Sequence, residues 1–212
     1  MPILHGVSLS PFVRKVRVAL SEKSVDYENN PIMPFGQTDE FRAKSPLGKI
    51  PCWEDGDFVL PDSSAILAYL ERVYPEPALY PSDAKEFGRV LWYEEYSDSK
   101  VTDTLGPVFS QRFVQKQIFK QEPDEAIIAE KLKEAESLFD YLAGEIGDRE
   151  VMVGTHFSTA DIAIGSIFVN FEHGGEQVDA GRWPTLAAYV SRVHARPSFK
   201  TIIEEEKATV SA

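Results

Sequence analysis

The 212-residue chain carries 34 acidic against 22 basic side chains, a formal net charge of −12, with 43% hydrophobic residues. That length supports a full core, while the negative balance repels phosphate backbones and anionic bilayers and excludes nucleic acid and membrane surfaces as expected ligands. A single cysteine, Cys52, excludes an intramolecular disulfide. The four histidines (His5, His156, His173, His194) show no zinc spacing, so no metal is expected. No apolar stretch reaches a membrane span and no secretory leader is read, which sets a cytoplasmic expectation.

A short apolar start, Ile3-Leu4, reads as a strand. It hands over to Ser10-Pro11, after which Val13, Val16 and Leu20 recur at helical spacing with Arg14, Lys15 and Arg17 elsewhere on the cylinder. Proline is favoured at the first helical position because its missing N–H would be unpaired there, so Pro11 starts the helix and Ser10 caps it. Tyr27 to Ile32 reads as extended and Gln37 to Lys44 as a short helical turn, giving a βαβ beginning. Asp55-Gly56 between the apolar runs Ile50–Trp53 and Phe58–Leu60 signals a tight antiparallel hairpin. Asp62-Ser63-Ser64 then offers caps for a helix carrying Ile66, Leu67, Leu70 and Val73.

Pro75-Glu76-Pro77-Ala78-Leu79-Tyr80-Pro81 cannot continue that helix, and beyond it strand signals almost vanish. The reading is therefore an α/β domain over 1–80 and an all-helical domain over 85–212. The first 80 residues hold 8 basic against 11 acidic side chains and the remainder 14 against 23, so the first part is the less hostile to a small anion. In the helical part a break is expected at Gly106-Pro107, a restart near Pro123-Asp124 and an end around Gly144 to Gly147. Ser158-Thr159-Ala160-Asp161 has the spacing of a capping box ahead of Ile164, Ile167, Phe168 and Phe171, and that helix should be the buried axis of the second domain. Two more helices are expected from Trp183-Pro184 and Pro197.

Taken singly, these residues have ordinary structural readings: Ser10 and Asp62-Ser63 as helix caps, Ile50-Pro51 as a turn, Lys49 and Gln37 as solvated side chains, Cys52 as core. Their order changes the picture. Ser10 with Arg14 four residues on, Pro46-Leu47-Gly48-Lys49-Ile50-Pro51, Asp62-Ser63, Gly154 with Ser158-Thr159-Ala160-Asp161, and Trp183-Pro184-Thr185-Leu186 with Arg196-Pro197-Ser198-Phe199 together resemble the glutathione S-transferases, over nearly the whole chain. The serine-type motif is nearest the theta and phi branches or bacterial relatives of them.

The resemblance implies a thioredoxin-like α/β N-terminal domain that binds glutathione and an all-α C-terminal bundle that supplies a hydrophobic substrate pocket, in a cytoplasmic homodimer active in detoxification. It implies that glutathione is the co-substrate and that Ile50-Pro51 is a cis peptide whose neighbouring edge pairs with the cysteinyl backbone. Ser63 would receive the γ-glutamyl carboxylate, Asp62 the α-ammonium, and Lys49 and Gln37 would reach the glutathione backbone or the glycyl carboxylate. Ser10 would donate a hydrogen bond to the sulfur and favour its thiolate, with Ser8 as the rival hydroxyl. Phe12, Phe35, Tyr96, Phe109 and Phe113 are candidates for holding a small hydrophobic electrophile near the first helix loop and the start of the helical domain; Trp92, Tyr93 and Tyr96 fit a subunit contact equally well. A glutathione-dependent isomerase or peroxidase would use the same site. A non-catalytic adaptor for a protein partner would keep the fold without the chemistry.

Overall fold

A computed structural model describes residues 1–210, so the last two residues of the expected helical domain lie outside it. The chain divides into two compact units, the first Met1–Tyr80 and the second beginning at Pro81.

In the first unit a four-stranded sheet has the order β2-β1-β3-β4, built from β1 (Ile3–His5), β2 (Glu28–Asn30), β3 (Cys52–Asp55) and β4 (Phe58–Pro61). β1 runs parallel to β2, with Leu4 opposite Asn29, and antiparallel to β3, with Leu4 opposite Trp53. The β3–β4 register pairs Asp55 with Phe58, leaving Gly56-Asp57 as a two-residue loop. Gly56 takes φ +64°, the left-handed conformation that such a loop demands at its first position. Helices α1 (Pro11–Glu22) and α3 (Ser63–Val73) pack together and bury Val13, Val16, Leu20, Ile66, Leu67 and Leu70. The short α2 (Asp39–Lys44) is capped by Thr38 and buries Phe41.

The second unit is helical. α4 (Ala84–Tyr96) runs without interruption through a π-helical segment, Ser97–Val101, into α5 (Thr102–Phe109) and a second π segment, Ser110–Ile118. The break expected at Gly106-Pro107 does not occur. Proline inside a helix lacks one N–H and crowds the preceding turn; here Pro107 sits between two π segments, whose wider turns change the local hydrogen-bond ladder on either side. α6 (Glu125–Ile146) is capped by Asp124 and closed by Gly147. α7 (Thr159–His173) has 13 of its 15 residues buried and forms the axis, packed against α4, α5, α8 (Pro184–Ala195) and α9 (Pro197–Val210). Its capping box closes in both directions. Asp161, 0% exposed, accepts from the N–H of Met152 (2.7 Å) and of Ser158 (3.0 Å) and from the hydroxyls of Ser158 (3.2 Å) and Tyr189 (2.9 Å). Burial pushes its carboxyl pKa up, and those four donors act in the opposite direction.

Candidate functional site

Three segments distant in sequence meet at one end of the first unit's sheet. Gly6 follows β1 with φ +146°, and a Cβ there would stand 2.4 Å from Val13 Cγ2 and 3.2 Å from Ile50 Cβ. Only glycine lets the chain leaving β1 lie this close to both the first turn of α1 and the segment before β3. The Ile50–Pro51 peptide is cis, and its Pro51 carbonyl accepts from the Asp62 N–H at 3.3 Å across the hairpin. β3 begins at Cys52, so Ile50 lies outside the ladder registers. From α1, the Lys15 ammonium donates to the Ser64 hydroxyl at 3.2 Å and fastens that helix to the first turn of α3.

Ser10 caps α1 weakly. Its oxygen accepts from the Val13 N–H at 3.5 Å, near the limit of a hydrogen bond, while its N–H closes a turn onto the Val7 carbonyl at 3.1 Å. Its hydroxyl is therefore little committed to the helix end.

Asp62 shows the reverse emphasis. Its Oδ1 accepts from the N–H of Ser64 (3.0 Å) and of Ala65 (3.1 Å), so these two helix-end donors are already occupied. Ser63, the first helical residue, is buried beside this cap. Asp83 and Asp124 cap α4 and α6 through the same pair of bonds to Oδ1, at φ −68° and −82°. Asp62 does so at φ +81°. Capping does not require that conformation, which costs a non-glycine residue about 1–3 kcal/mol.

The remaining candidates are scattered within each unit. Lys49 is exposed, and Gln37 donates to the Met33 carbonyl. Phe35 is exposed and Phe12 half-buried. Phe109 and Phe113 stack with ring centroids 5.1 Å apart. Tyr96 joins a different group, with ring centroids 5.7 Å from Trp92 and 5.2 Å from Tyr141; Phe87 and Leu91 on the same helix are exposed. Cys52 is buried and its thiol is pushed up to about 11 by burial, which keeps it protonated and unreactive at neutral pH. Among the described residues no group of three or more His, Cys, Asp or Glu side chains is placed to hold a metal, and no helix is long and apolar enough to cross a membrane.

Sequence reasoning missed Gly6, Lys15 and the strain at Asp62. A glycine between a strand and a helix start was a legible signal of close approach. A lysine on an amphipathic helix reads as solvent-facing, and nothing local reveals its partner.

The chain matches the glutathione S-transferase N-terminal domain over residues 4–78 and the glutathione S-transferase C-terminal domain over residues 101–197. It is 31% identical to glutathione S-transferase theta-1 of Bos taurus, covering 87% of this chain and 75% of that one. It is 30% identical to glutathione S-transferase Z2 of Arabidopsis thaliana, covering 96% and 91%. A solved glutathione S-transferase from Rhodospirillum rubrum F11 superposes with a TM-score of 0.87 at 29% identity, over 95% of this chain and 91% of that one. The chain belongs to the glutathione S-transferase family and is an enzyme of that fold. Its similarities spread over theta, zeta and phi members without settling on one class.

Proposed function

We propose that the chain joins the thiolate of glutathione to small hydrophobic electrophiles, with Ser10 donating the hydrogen bond that favours the thiolate. In this reading the first unit binds glutathione: Asp62 and Ser63 take the charged γ-glutamyl end, the edge at Ile50-Pro51 pairs with the peptide as an added strand, and Lys49 and Gln37 address the glycyl end. The observation that carries it is the strained Asp62. Two other aspartates cap helices in the same way at relaxed backbone angles, so the strain at Asp62 is kept for another task, and holding a ligand's ammonium beside Ser63 is one that this pair can perform.

Elementary rates define what Ser10 contributes. A free thiol of pKa about 8.5 is only about 3% ionised at pH 7, and lowering it by about two units raises that fraction about 25-fold. Nucleophilicity falls with basicity; with a slope of about 0.4–0.5, about 6- to 10-fold is lost again. The net gain at neutral pH is a few-fold. The larger share of acceleration belongs to holding the electrophile against the sulfur. For that apolar contact Phe12 and Phe35 are the candidates in the first unit and Phe109, Phe113 and Tyr96 in the second. Isomerisation or peroxide reduction would draw on the same thiolate.

The exposed Phe87, Leu91 and Trp92 on α4 support a homodimer built on that face, in a cytoplasmic detoxification enzyme. The same face would serve a non-catalytic adaptor, a reading that binding of glutathione with a lowered thiol pKa would rule out.

The test is the ultraviolet absorbance of bound thiolate against pH in the wild type and Ser10→Ala, with turnover of chlorodinitrobenzene. The wild type should be ahead by a few-fold at pH 7, by about 10-fold or more well below it, and should fall behind above the free thiol pKa, where both sulfurs are ionised and the mutant's is the more basic. Equal profiles would remove Ser10 from the mechanism.

A further inference from the structure

The segment that leads into the cis peptide is built around Ser45, which is 2% exposed. Its N–H donates to the Phe41 carbonyl at 2.8 Å at the end of α2, and its own carbonyl accepts from the Gly48 N–H at 2.7 Å. That second bond closes a turn with Pro46 at the second position and Gly48 at the fourth, the places these residues favour. The turn is therefore closed by backbone alone. The Ser45 hydroxyl reaches one residue past it and donates to the Lys49 carbonyl at 2.7 Å.

The effect of that bond falls on Ile50. Lys49 and Ile50 share a trans peptide, the cis bonds lying at Ile50–Pro51 and Glu76–Pro77. In a planar trans peptide the C=O and the N–H point in opposite directions, so holding the Lys49 carbonyl toward Ser45 turns the Ile50 N–H away from the turn. The groups that follow are committed or missing: Pro51 has no N–H, and its carbonyl accepts from Asp62. Ile50 is 6% exposed and lies outside the ladders, and among the described residues neither its N–H nor its carbonyl has a hydrogen-bond partner. A backbone so covered is ordinarily paired, and an adjacent N–H and C=O left over by the fold are the groups that an added strand uses.

We propose that Ser45 is a positioning residue for glutathione: its hydroxyl holds the Lys49–Ile50 peptide in the orientation that lets Ile50 pair with the cysteinyl backbone. The proposal rests on the reading of the Ile50-Pro51 edge given above. Ser45 does not touch the ligand, and no proton moves. Without its hydroxyl the peptide plane is free to turn, and the ligand has to restore the orientation as it binds, at a cost in affinity.

The experiment uses the full-length protein with S-methylglutathione, which binds without a thiol to titrate. Calorimetry reads the affinity, and the amide proton resonance of Ile50 reads the bond itself. In the wild type the ligand should move that resonance downfield. Ser45→Ala should weaken binding by about three- to ten-fold, the worth of one neutral hydrogen bond, and should shrink the Ile50 shift. KM for glutathione should rise alike, while kcat at saturating glutathione and the titration midpoint of its bound thiol stay as in the wild type. Ser45→Cys keeps the packing and weakens the donor, so it should behave as Ser45→Ala does and carries the test if that variant does not fold. Ser45→Thr, which keeps the hydroxyl, should stay within about two-fold of the wild type. Unchanged affinity and Ile50 shift in Ser45→Ala or Ser45→Cys, a change confined to kcat or to thermal stability, or an equal loss in Ser45→Thr would overturn the proposal. If the ligand moves the Ile50 resonance equally in the wild type and the variants, only the role of Ser45 fails. If it binds the wild type and leaves that resonance unmoved, the reading of the Ile50-Pro51 edge fails too.

Discussion

The two units place their polar groups differently. In the first, Ser10, Asp62, Ser63 and the cis Ile50–Pro51 peptide stand where the sheet ends and helices begin, and Asp62 accepts a strained backbone to do so. In the second, Asp161 is wholly enclosed with four donors aimed at its two oxygens, and the helix it caps is buried nearly all round. A polar group at a mouth can lose its partner to water at little cost, whereas one in the core leaves its donors stranded. Substitutions in the first unit should therefore be felt mainly in ligand binding and turnover, and those in the second mainly in folding.

The largest expected effect is at Asp161. Asp161→Ala strands the N–H groups of Met152 and Ser158 and the hydroxyl of Tyr189 inside the protein, a loss of about 3–5 kcal/mol by analogy with a broken buried pair. Thermal and urea melts check it. A variant within about 1 kcal/mol of the wild type would show that water enters to replace the carboxylate.

Lys23 tests the comparison from the other side, because it is a polar group of the first unit buried like those of the second. Its ammonium donates to the Tyr74 carbonyl at 2.6 Å and the Pro77 carbonyl at 2.8 Å and pairs with Glu71 at 2.8 Å, with its side chain 1% exposed. Glu71 in turn accepts from the N–H groups of Leu79 and Tyr80. Lys23→Met should cost about 3 kcal/mol, and a double-mutant cycle with Glu71→Gln should show strong coupling. Near-additive losses would mean that the ammonium serves the two carbonyls and the ion pair adds little.

Asp62→Gly separates the two kinds of role within one residue. Glycine adopts φ +81° without strain and caps nearly as well as aspartate, so stability should stay within about 1 kcal/mol. Glutathione affinity, read by calorimetry, should fall by about ten-fold with the lost partner for the ammonium. Unchanged affinity would remove the argument drawn from the strain.

Much of this plan was legible in the sequence, for local reasons. Asp55-Gly56, the Ser158–Asp161 box and the Pro-initiated helices write their geometry in two to four neighbouring residues, and the hairpin, α7, α8 and α9 follow from them. Gly106-Pro107 misled because a proline inside a helix costs one hydrogen bond and some crowding but does not by itself end the helix; Pro107 sits within α5, and whether the run from α4 onward continues is decided by its packing. At the site, Ser10 and Asp62-Ser63 could be named as cap residues, but the φ of Asp62 depends on the hairpin that delivers it, and the partner of Lys15 lies 49 residues away. Spacing within one helix carries no trace of such a contact.

The smallest effect is an acid one, and its sign differs between Glu54 of the first unit and Asp161 of the second. Glu54 on β3 accepts from Lys44 of α2 and from His5 of β1 at 2.9 Å, and these bonds, that from Lys44 foremost, hold its carboxyl below the ordinary 4.5. A depressed carboxyl contributes stability that is complete above its unfolded pKa and is lost as the pH falls through the folded one. Asp161, raised by burial, takes up its proton earlier in the folded state than in the unfolded, so acidification works in favour of the fold there. In the second unit Glu134 shares the sign of Glu54, lowered to about 2 by Lys100 and then Lys131, but it is a third exposed and solvent screens what it contributes. Amide exchange followed from neutral pH to about pH 4 should therefore show protection lost first around α2 and β3, where the network is only partly covered, by well under about 1 kcal/mol. Glu54→Gln should abolish that pH dependence while leaving α7 as it was. If α7 opens first instead, the enclosed carboxyl is the acid-sensitive group, and the distinction between a unit that spends its polar groups at a mouth and one that spends them in its core no longer predicts where the molecule yields.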